Sequence, residues 1–81
     1  MNVTLYTTLG CHLCEEALQL LQQVQQAGTE LQVSEVEIAD SDELIERYGI
    51  RIPVVADESG GELGWPFDLA GLQTFLEATG T

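Results

Sequence analysis

The spacing of apolar residues predicts a strand, a helix and a second strand in the first half of the chain. Val3 and Leu5 lie on one side of residues 1–6, which is the period of two expected of a strand. Between residues 11 and 27 the apolar positions have helical spacing, and Gly28 predicts the end of that helix. The period of two returns in residues 31–38, with one irregularity near Ser34. A helix that connects two strands predicts a parallel pair.

A short second helix is predicted after an acidic start signal. Asp40 is the expected N-cap, and Glu43 lies three residues further on, where its side chain can reach back to the cap. Gly49 predicts the end of this helix.

The last third predicts a hairpin and a final helix. Residues 52–56 form a strand that begins at a proline, and the turn at 57–61 leads to an antiparallel partner at 62–65. Asp68 is the expected cap of a last helix that ends before Gly80. The predicted order is β-α-β-α-β-β-α within one domain, residues 1–81.

Charge excludes several classes of partner. The 81 residues carry 14 acidic side chains against Arg47 and Arg51, for a formal net charge of -12. Such a surface repels phosphate backbones and anionic membranes. The chain also lacks a run of about 18 apolar residues and a secretory pattern at its N-terminus. We therefore expect a cytoplasmic protein with no nucleic-acid and no membrane partner. A monomer is also expected.

Cys11 and Cys14, the two cysteines of the chain, form a Cys-x-x-Cys at the predicted start of the first helix. Helical neighbours three apart have Cβ atoms roughly 5–6 Å apart, which is close enough for a disulfide after small adjustment. The helix terminus favours a thiolate at Cys11. These arguments predict Cys11 as the nucleophile and Cys14 as the resolving thiol. Glu15 and Glu16 follow in the same turn, where like charge disfavours ionisation of the thiol.

A metal site is the alternative reading of the cysteine pair. His12 could supply a third ligand, but a structural zinc site needs four nitrogen or sulfur ligands and the chain has no other cysteine or histidine. We therefore expect no metal site within one chain, and a metal shared between two chains remains the alternative. His12 is otherwise either a group that responds to pH beside the thiolate or an exposed residue of the first turn.

Three segments resemble one family of proteins. The segments are Leu5-Tyr6-Thr7 before Gly10-Cys11-His12-Leu13-Cys14, then Arg51-Ile52-Pro53-Val54-Val55, then Gly60-Gly61-Glu62-Leu63-Gly64-Trp65-Pro66-Phe67-Asp68. Together they resemble small bacterial glutaredoxin-like proteins of the thioredoxin fold over nearly the full chain. The resemblance implies an α/β fold, with a four-stranded mixed sheet, helices on both faces and a cis peptide at Ile52–Pro53. The substrate-binding residues expected around the cysteines are His12, Leu13, Arg51, Ile52, Pro53, Phe67 and Asp68.

The chain departs from this family where glutathione would bind. Glutaredoxins usually carry a cation shortly before the first cysteine, whereas residues 7–9 are uncharged here. They also hold a carboxylate on backbone amides at the start of the last helix, and Pro66 removes one such amide. Arg51 is the one obvious cation beside the proline loop. We therefore expect no bound cofactor and poor binding of glutathione.

The expected function is thiol–disulfide exchange. Its substrate would be a disulfide-containing protein or a small thiol, and an unidentified reductant would recycle the cysteines. Two alternatives remain open at this point. One is a non-enzymatic module for redox sensing or protein interaction, and the other is a dimeric carrier of an iron–sulfur cluster or metal.

Overall fold

The computed structural model describes residues 1–79, so Gly80, the expected stop of the last helix, lies outside the described residues. The element order agrees with the predicted β-α-β-α-β-β-α, with one added 3₁₀ turn. The elements are β1 (Asn2–Thr7), α1 (His12–Gln26), β2 (Gln32–Glu37), the 3₁₀ turn (Ile38–Asp40), α2 (Asp42–Tyr48), β3 (Val54–Ala56), β4 (Glu62–Gly64) and α3 (Leu69–Thr79).

The four strands form one mixed sheet in the order β2-β1-β3-β4. β1 pairs with β2 in parallel, as the strand-helix-strand pattern predicted, and its register runs from Asn2 opposite Gln32 to Thr7 opposite Glu37. β3 is antiparallel to both β1 and β4. The carboxyl ends of β1 and β2 therefore lie at the same end of the sheet as the start of β3.

Helices cover both faces of the sheet, which confirms the implied architecture. On one face, α1 and α3 pack over alternate strand residues such as Leu5 and Val55, both at most 1% exposed. On the other face, α2 places Tyr48 against Val54 and Ile38. Successive strand residues point to opposite faces, so neighbours such as Val54 and Val55 enter different clusters.

The irregularity near Ser34 is a change in the buried face of β2. The strand pairs with β1 through six consecutive positions, so it contains no bulge. Val33 packs against the α1 side, whereas Ile38 belongs to the cluster on the α2 side. Glu35 and Glu37 share the face of Val33, because side chains alternate along a strand. Acidic side chains therefore replace apolar ones toward the end of β2.

The start of α2 differs from the sequence prediction by one residue. Ser41, and not Asp40, is the N-cap, and its hydroxyl accepts a hydrogen bond from the Leu44 amide at 3.3 Å. Asp40 lies in the 3₁₀ turn that buries Ile38, and the Ser41 amide closes this turn on the Ile38 carbonyl at 3.1 Å. The cap moves to the next residue because Asp40, which was expected to precede the helix, forms part of the 3₁₀ turn.

The other predicted ends are close to those observed. Gly28 follows α1 with φ of +107°, a conformation that glycine adopts without strain. Asp68 caps α3 by accepting a hydrogen bond from the Gly71 amide at 2.7 Å. β3 begins at Val54 and not at the expected residue 52, because Ile52 turns back and donates its amide to the Tyr48 carbonyl at 3.0 Å. Within residues 1–79, no helix is long and apolar enough to cross a bilayer.

Candidate redox site

The register of the sheet brings four segments to the end that carries the cysteines. Tyr6, near the end of β1, pairs with Val54 at the start of β3, and Val54 also pairs with Gly64 at the end of β4. Thr7 pairs with Glu37 at the end of β2. The loop before Cys11, the proline loop, the start of α3 and the 3₁₀ turn therefore all begin or end at this edge.

A β-turn leads from β1 into the cysteine motif. The Cys11 amide donates to the Thr8 carbonyl at 3.2 Å, and Gly10 has φ of +80° at the third position, as a type II turn requires. Leu9, at the second position, is 94% exposed. The turn thus holds a leucine in solvent immediately before the cysteines.

Glu37 anchors this turn to the end of β2. Its Oε1 accepts a hydrogen bond from the Leu9 amide at 2.7 Å, and its Oε2 accepts one from the Ala39 amide at 3.1 Å. The bond from Ala39 and one from the Thr8 hydroxyl lower the pKa of Glu37. The sequence did not predict this role of Glu37, because its partner Leu9 lies in a loop 28 positions earlier that only the register with β1 brings close.

Cys11 is the N-cap of α1, as the sequence predicted for the start of this helix. Its backbone is extended, with φ of -80° and ψ of 110°, and its Sγ accepts a hydrogen bond from the Cys14 amide at 3.2 Å. The two residues form a disulfide, with Cα atoms 5.2 Å apart. Cys14 is buried at 3% exposure, whereas Cys11 is only half-buried. The two cysteine residues therefore differ in their access to solvent.

An open cleft of about 360 Å³ lies along the β2 side of the disulfide. Both cysteines contribute to it, together with the turn before them and one side of α1. Three carboxylates line it and no arginine does. The charged lining residues are Glu15, Glu35 and Glu37.

The β3–β4 side of the same edge contains a buried tyrosine. Tyr48 is 2% exposed and stacks on Tyr6 with ring centroids 4.2 Å apart. Its hydroxyl donates to Glu62 Oε2 at 2.5 Å. This bond, followed by burial, raises the pKa of Tyr48 to about 12, and the same hydroxyl lowers the pKa of Glu62.

Both arginines of the chain belong to this tyrosine group. Arg51 donates to Glu62 Oε1 at 3.2 Å, and its guanidinium carbon lies 5.5 Å from the Tyr48 ring centroid. The guanidinium carbon of Arg47 lies at the same distance from that ring. Arg51, which the sequence suggested as a cation for an anionic substrate, is therefore already bonded to Glu62 within the protein.

The other residues expected to bind substrate occupy different environments. His12 has a side chain that is 95% exposed and lies 3.5 Å from Glu15. Leu13 is 44% exposed. The Ile52–Pro53 bond is cis, as the resemblance implied, and Trp65–Pro66 is a second cis bond that the sequence did not predict. Pro53 is buried, and its carbonyl accepts a hydrogen bond from the Trp65 amide at 3.1 Å.

Phe67 and Asp68 lie at the same edge as the proline loop but outside the cleft that touches the disulfide. Phe67 is half-buried against the larger apolar cluster and meets the Trp65 ring edge-on, with centroids 5.0 Å apart. Asp68 is exposed and bonded to the Gly71 amide. Among residues 1–79, no group of three or more potential metal ligands is found.

Comparison with known proteins gives the same picture as the geometry. The model of the glutaredoxin-like domain (DUF836) matches residues 2–77. The X-ray structure of protein XcR50 from X. campestris is 42% identical, with a TM-score of 0.83 over 94% of this chain and 96% of that one. The solution structure of XcR50, also 42% identical, has a TM-score of 0.80 and covers 96% of this chain and 95% of that one.

A more distant similarity identifies the fold. Thioredoxin 1 from the thermophilic eubacterium Thermosipho africanus TCF52B is 13% identical over the full length of both chains, with a TM-score of 0.57. No curated protein matches. The fold is thioredoxin-like, and the Cys11–Cys14 pair at disulfide distance indicates thiol redox chemistry. The chain belongs to the glutaredoxin-like domain family (DUF836).

Proposed function

We propose that the protein is a thiol–disulfide oxidoreductase in which Cys11 attacks the substrate and Cys14 resolves the intermediate. The observation that carries this proposal is the unequal exposure of the two cysteine residues. Cys14 is 3% exposed, whereas the half-buried Cys11 caps the helix with its Sγ facing the Cys14 amide. A sulfur at that position is stabilised as the thiolate by the amide and by the helix terminus.

The exchange proceeds in two displacements. The Cys11 thiolate attacks one sulfur of the substrate disulfide, so a mixed disulfide forms and the other substrate sulfur leaves as a thiolate. Cys14 then loses its proton to solvent and attacks the Cys11 sulfur, which releases the second substrate thiolate. Two electrons pass to the substrate, and the protein is left with the Cys11–Cys14 disulfide. An external thiol or dithiol reductant returns it to the reduced form.

A protein disulfide is the proposed substrate, in preference to a glutathione adduct. No cation precedes Cys11, and Pro66 lacks an amide at the start of α3. Arg51 is already bonded to Glu62. The net charge of -12 further opposes capture of an anion. On the side of the proline loop, the substrate chain would run beside Arg51, Ile52 and Pro53, as in strand addition. The residues at its periphery would be His12, Leu13, Phe67 and Asp68.

Trapping of the mixed disulfide tests the assigned roles. A cyclic peptide closed by one disulfide is mixed with each of three reduced variants, which are Cys14→Ser, Cys11→Ser and the double variant. The amount of protein–peptide adduct is followed over time by intact-mass spectrometry. We expect Cys14→Ser to accumulate an adduct at least about tenfold faster than Cys11→Ser, because only the helix-terminal thiol is activated. Equal trapping by both single variants would refute the roles.

Turnover separates an enzyme from a redox-sensing module. In the presence of excess dithiol, an oxidoreductase reduces many equivalents of the peptide, whereas a sensor reacts once and stops. The visible absorption spectrum of anaerobically purified protein addresses the alternative of a cluster carrier, because iron–sulfur clusters are coloured and a disulfide is not.

A further inference from the structure

The cleft beside the disulfide contains a carboxylate that the protein does not use. Glu37 is bonded through both oxygens to backbone amides, and Glu15 lies 3.5 Å from His12. The side chain of Glu35, which also lines the cleft, has no hydrogen bond or ion pair with any of residues 1–79. It lies on the face of β2 that points toward α1. A negative charge is therefore available within the same cleft as both cysteines.

The same cleft has an apolar wall at its rim. Leu9 contributes to the lining and is 94% exposed. The turn that carries it is fixed by the Glu37 carboxylate and by Gly10, so its position is set before any partner arrives. Covering an exposed leucine removes apolar surface from water, and a fixed turn loses little entropy when it is covered. Leu9 thus offers an apolar contact independent of the charges.

We propose that this cleft docks the polypeptide segment beside the substrate disulfide, and that the segment carries a lysine or arginine against Glu35 and an apolar side chain against Leu9. Charge complementarity argues for this occupant, because the cleft has three carboxylates and no arginine among its lining residues. The proposal rests on the disulfide exchange proposed above and specifies its substrate class. It also explains why glutathione would bind poorly in the cleft, because the cleft carboxylates would repel the two carboxylates of glutathione.

Three cyclic peptides with the same disulfide ring test the docking. Beside the cysteines, each peptide carries one residue meant for Leu9 and one meant for Glu35, and these pairs are Leu-Lys, Leu-Glu and Ser-Lys. The rate of mixed-disulfide formation with reduced Cys14→Ser protein is measured at low salt. We expect the Leu-Lys peptide to react about tenfold faster than the Leu-Glu peptide. At about 1 M salt, where the Debye length is about 3 Å, this ratio should fall toward one.

Two glutamate variants in the same background locate the charge effect. Glu35→Gln should lower the Lys-to-Glu rate ratio by about threefold. Glu30→Gln changes the net charge equally, but Glu30 precedes β2 at the opposite end of the sheet, where its carbonyl accepts from the Met1 amino group. It should leave the ratio unchanged. Neither side chain has a hydrogen bond or ion pair among residues 1–79, so neither variant removes a native polar interaction.

Two apolar variants test the other contact. Leu9→Ser should lower the preference for the Leu-Lys over the Ser-Lys peptide by about threefold. Ile45→Ser is the matched control, because Ile45 is 44% exposed on α2, away from the cleft. It should not change that preference. Unfolding midpoints confirm that both variants remain folded.

The outcomes separate this inference from the function on which it rests. Equal rates for all three peptides, or equal effects of Glu35→Gln and Glu30→Gln, would overturn the docking proposal and leave disulfide exchange standing. Failure of every peptide to form an adduct through Cys11 would overturn both. A faster reaction of the Leu-Lys peptide, together with a lower Lys-to-Glu rate ratio in Glu35→Gln and at high salt, would support both.

Discussion

On one side of the disulfide lies the cleft along β2, and on the other lies the proline loop with β4 beside it. The cleft side holds three carboxylates, one of them unengaged, and an exposed leucine. The opposite side holds both arginines, but Arg51 is bonded to Glu62 and both guanidinium groups lie over Tyr48. The two sides therefore differ in whether their charged groups are already engaged within the protein.

Burial explains why the two sides differ. Tyr48 is 2% exposed, and a buried hydroxyl requires a partner, which Glu62 supplies. Glu62 in turn holds Arg51 in place. Glu35 lies on an edge strand and is exposed to water, so it needs no partner within the protein. The bonded groups of the buried side therefore contribute to stability, and the open side keeps a carboxylate that has no partner among residues 1–79.

The largest effect should come from breaking the buried side at Tyr48. Tyr48→Phe removes the hydroxyl that donates to Glu62 and keeps the ring stacked on Tyr6. We expect a loss of about 1–2 kcal/mol in the free energy of unfolding, since a hydrogen bond to a charged group is lost. Urea denaturation at neutral pH measures it. Leu9→Ala is the control from the open side and should change stability by less than about 0.5 kcal/mol.

Alkaline pH sharpens this prediction. The pKa of Tyr48 is raised to about 12 in the folded protein, from its ordinary value of 10.0. The folded state therefore keeps a proton that the unfolded state releases, and this contribution is full below pH 10 and lost as pH rises to about 12. The difference between wild type and Tyr48→Phe should narrow over that interval. A constant difference would show that the hydroxyl does not titrate as described.

The elements of this fold could be predicted from the sequence because their signals are local. The period of two in β1, the helical spacing of α1 and the glycine at position 28 each lie within a few residues. The cap of α2 could not be resolved, because Asp40 and Ser41 are both good caps. The choice depends on burial of Ile38, which is a tertiary contact.

The candidate site divides in the same way. The cysteine pair follows from its spacing alone. The roles of Glu37 and Glu62 do not, since their partners Leu9 and Tyr48 lie 28 and 14 positions away. Only the strand register, for Glu37, and the packing of α2 on the sheet, for Glu62, bring these groups together. For the same reason, the sequence offered Arg51 as an available cation, although the fold had engaged it with Glu62.

A smaller effect is expected on the cleft side at Glu37. Glu37→Gln places an amide group where two backbone amides now donate to a carboxylate, so one donor loses its acceptor. We expect faster hydrogen exchange at the Leu9 amide and a lower unfolding midpoint. The lowered pKa of Glu37 means that its contribution is present above pH 4.5 and lost as pH falls through the folded value. The variant and wild type should therefore converge in acid.

Glu35→Gln is the matched control for this loop effect. It removes the same charge from the same strand face but no hydrogen bond. Exchange at the Leu9 amide should be unchanged in it. If both variants loosened the turn equally, the charge of the cleft and not the bonding of Glu37 would hold the loop.

The smallest effect should follow from removing the cation itself. In Arg51→Gln, the rate of exchange with a peptide–glutathione mixed disulfide should change by less than about twofold, because the guanidinium is committed to Glu62 and a surface ion pair contributes little. Arg47→Gln changes the net charge equally and should behave alike. The measurement is the rate at which reduced wild type and each reduced variant release glutathione from the peptide. A tenfold or greater loss in Arg51→Gln alone would mean that Arg51 leaves Glu62 to bind the glutathione carboxylate, and that the β3–β4 side recognises substrate charge after all.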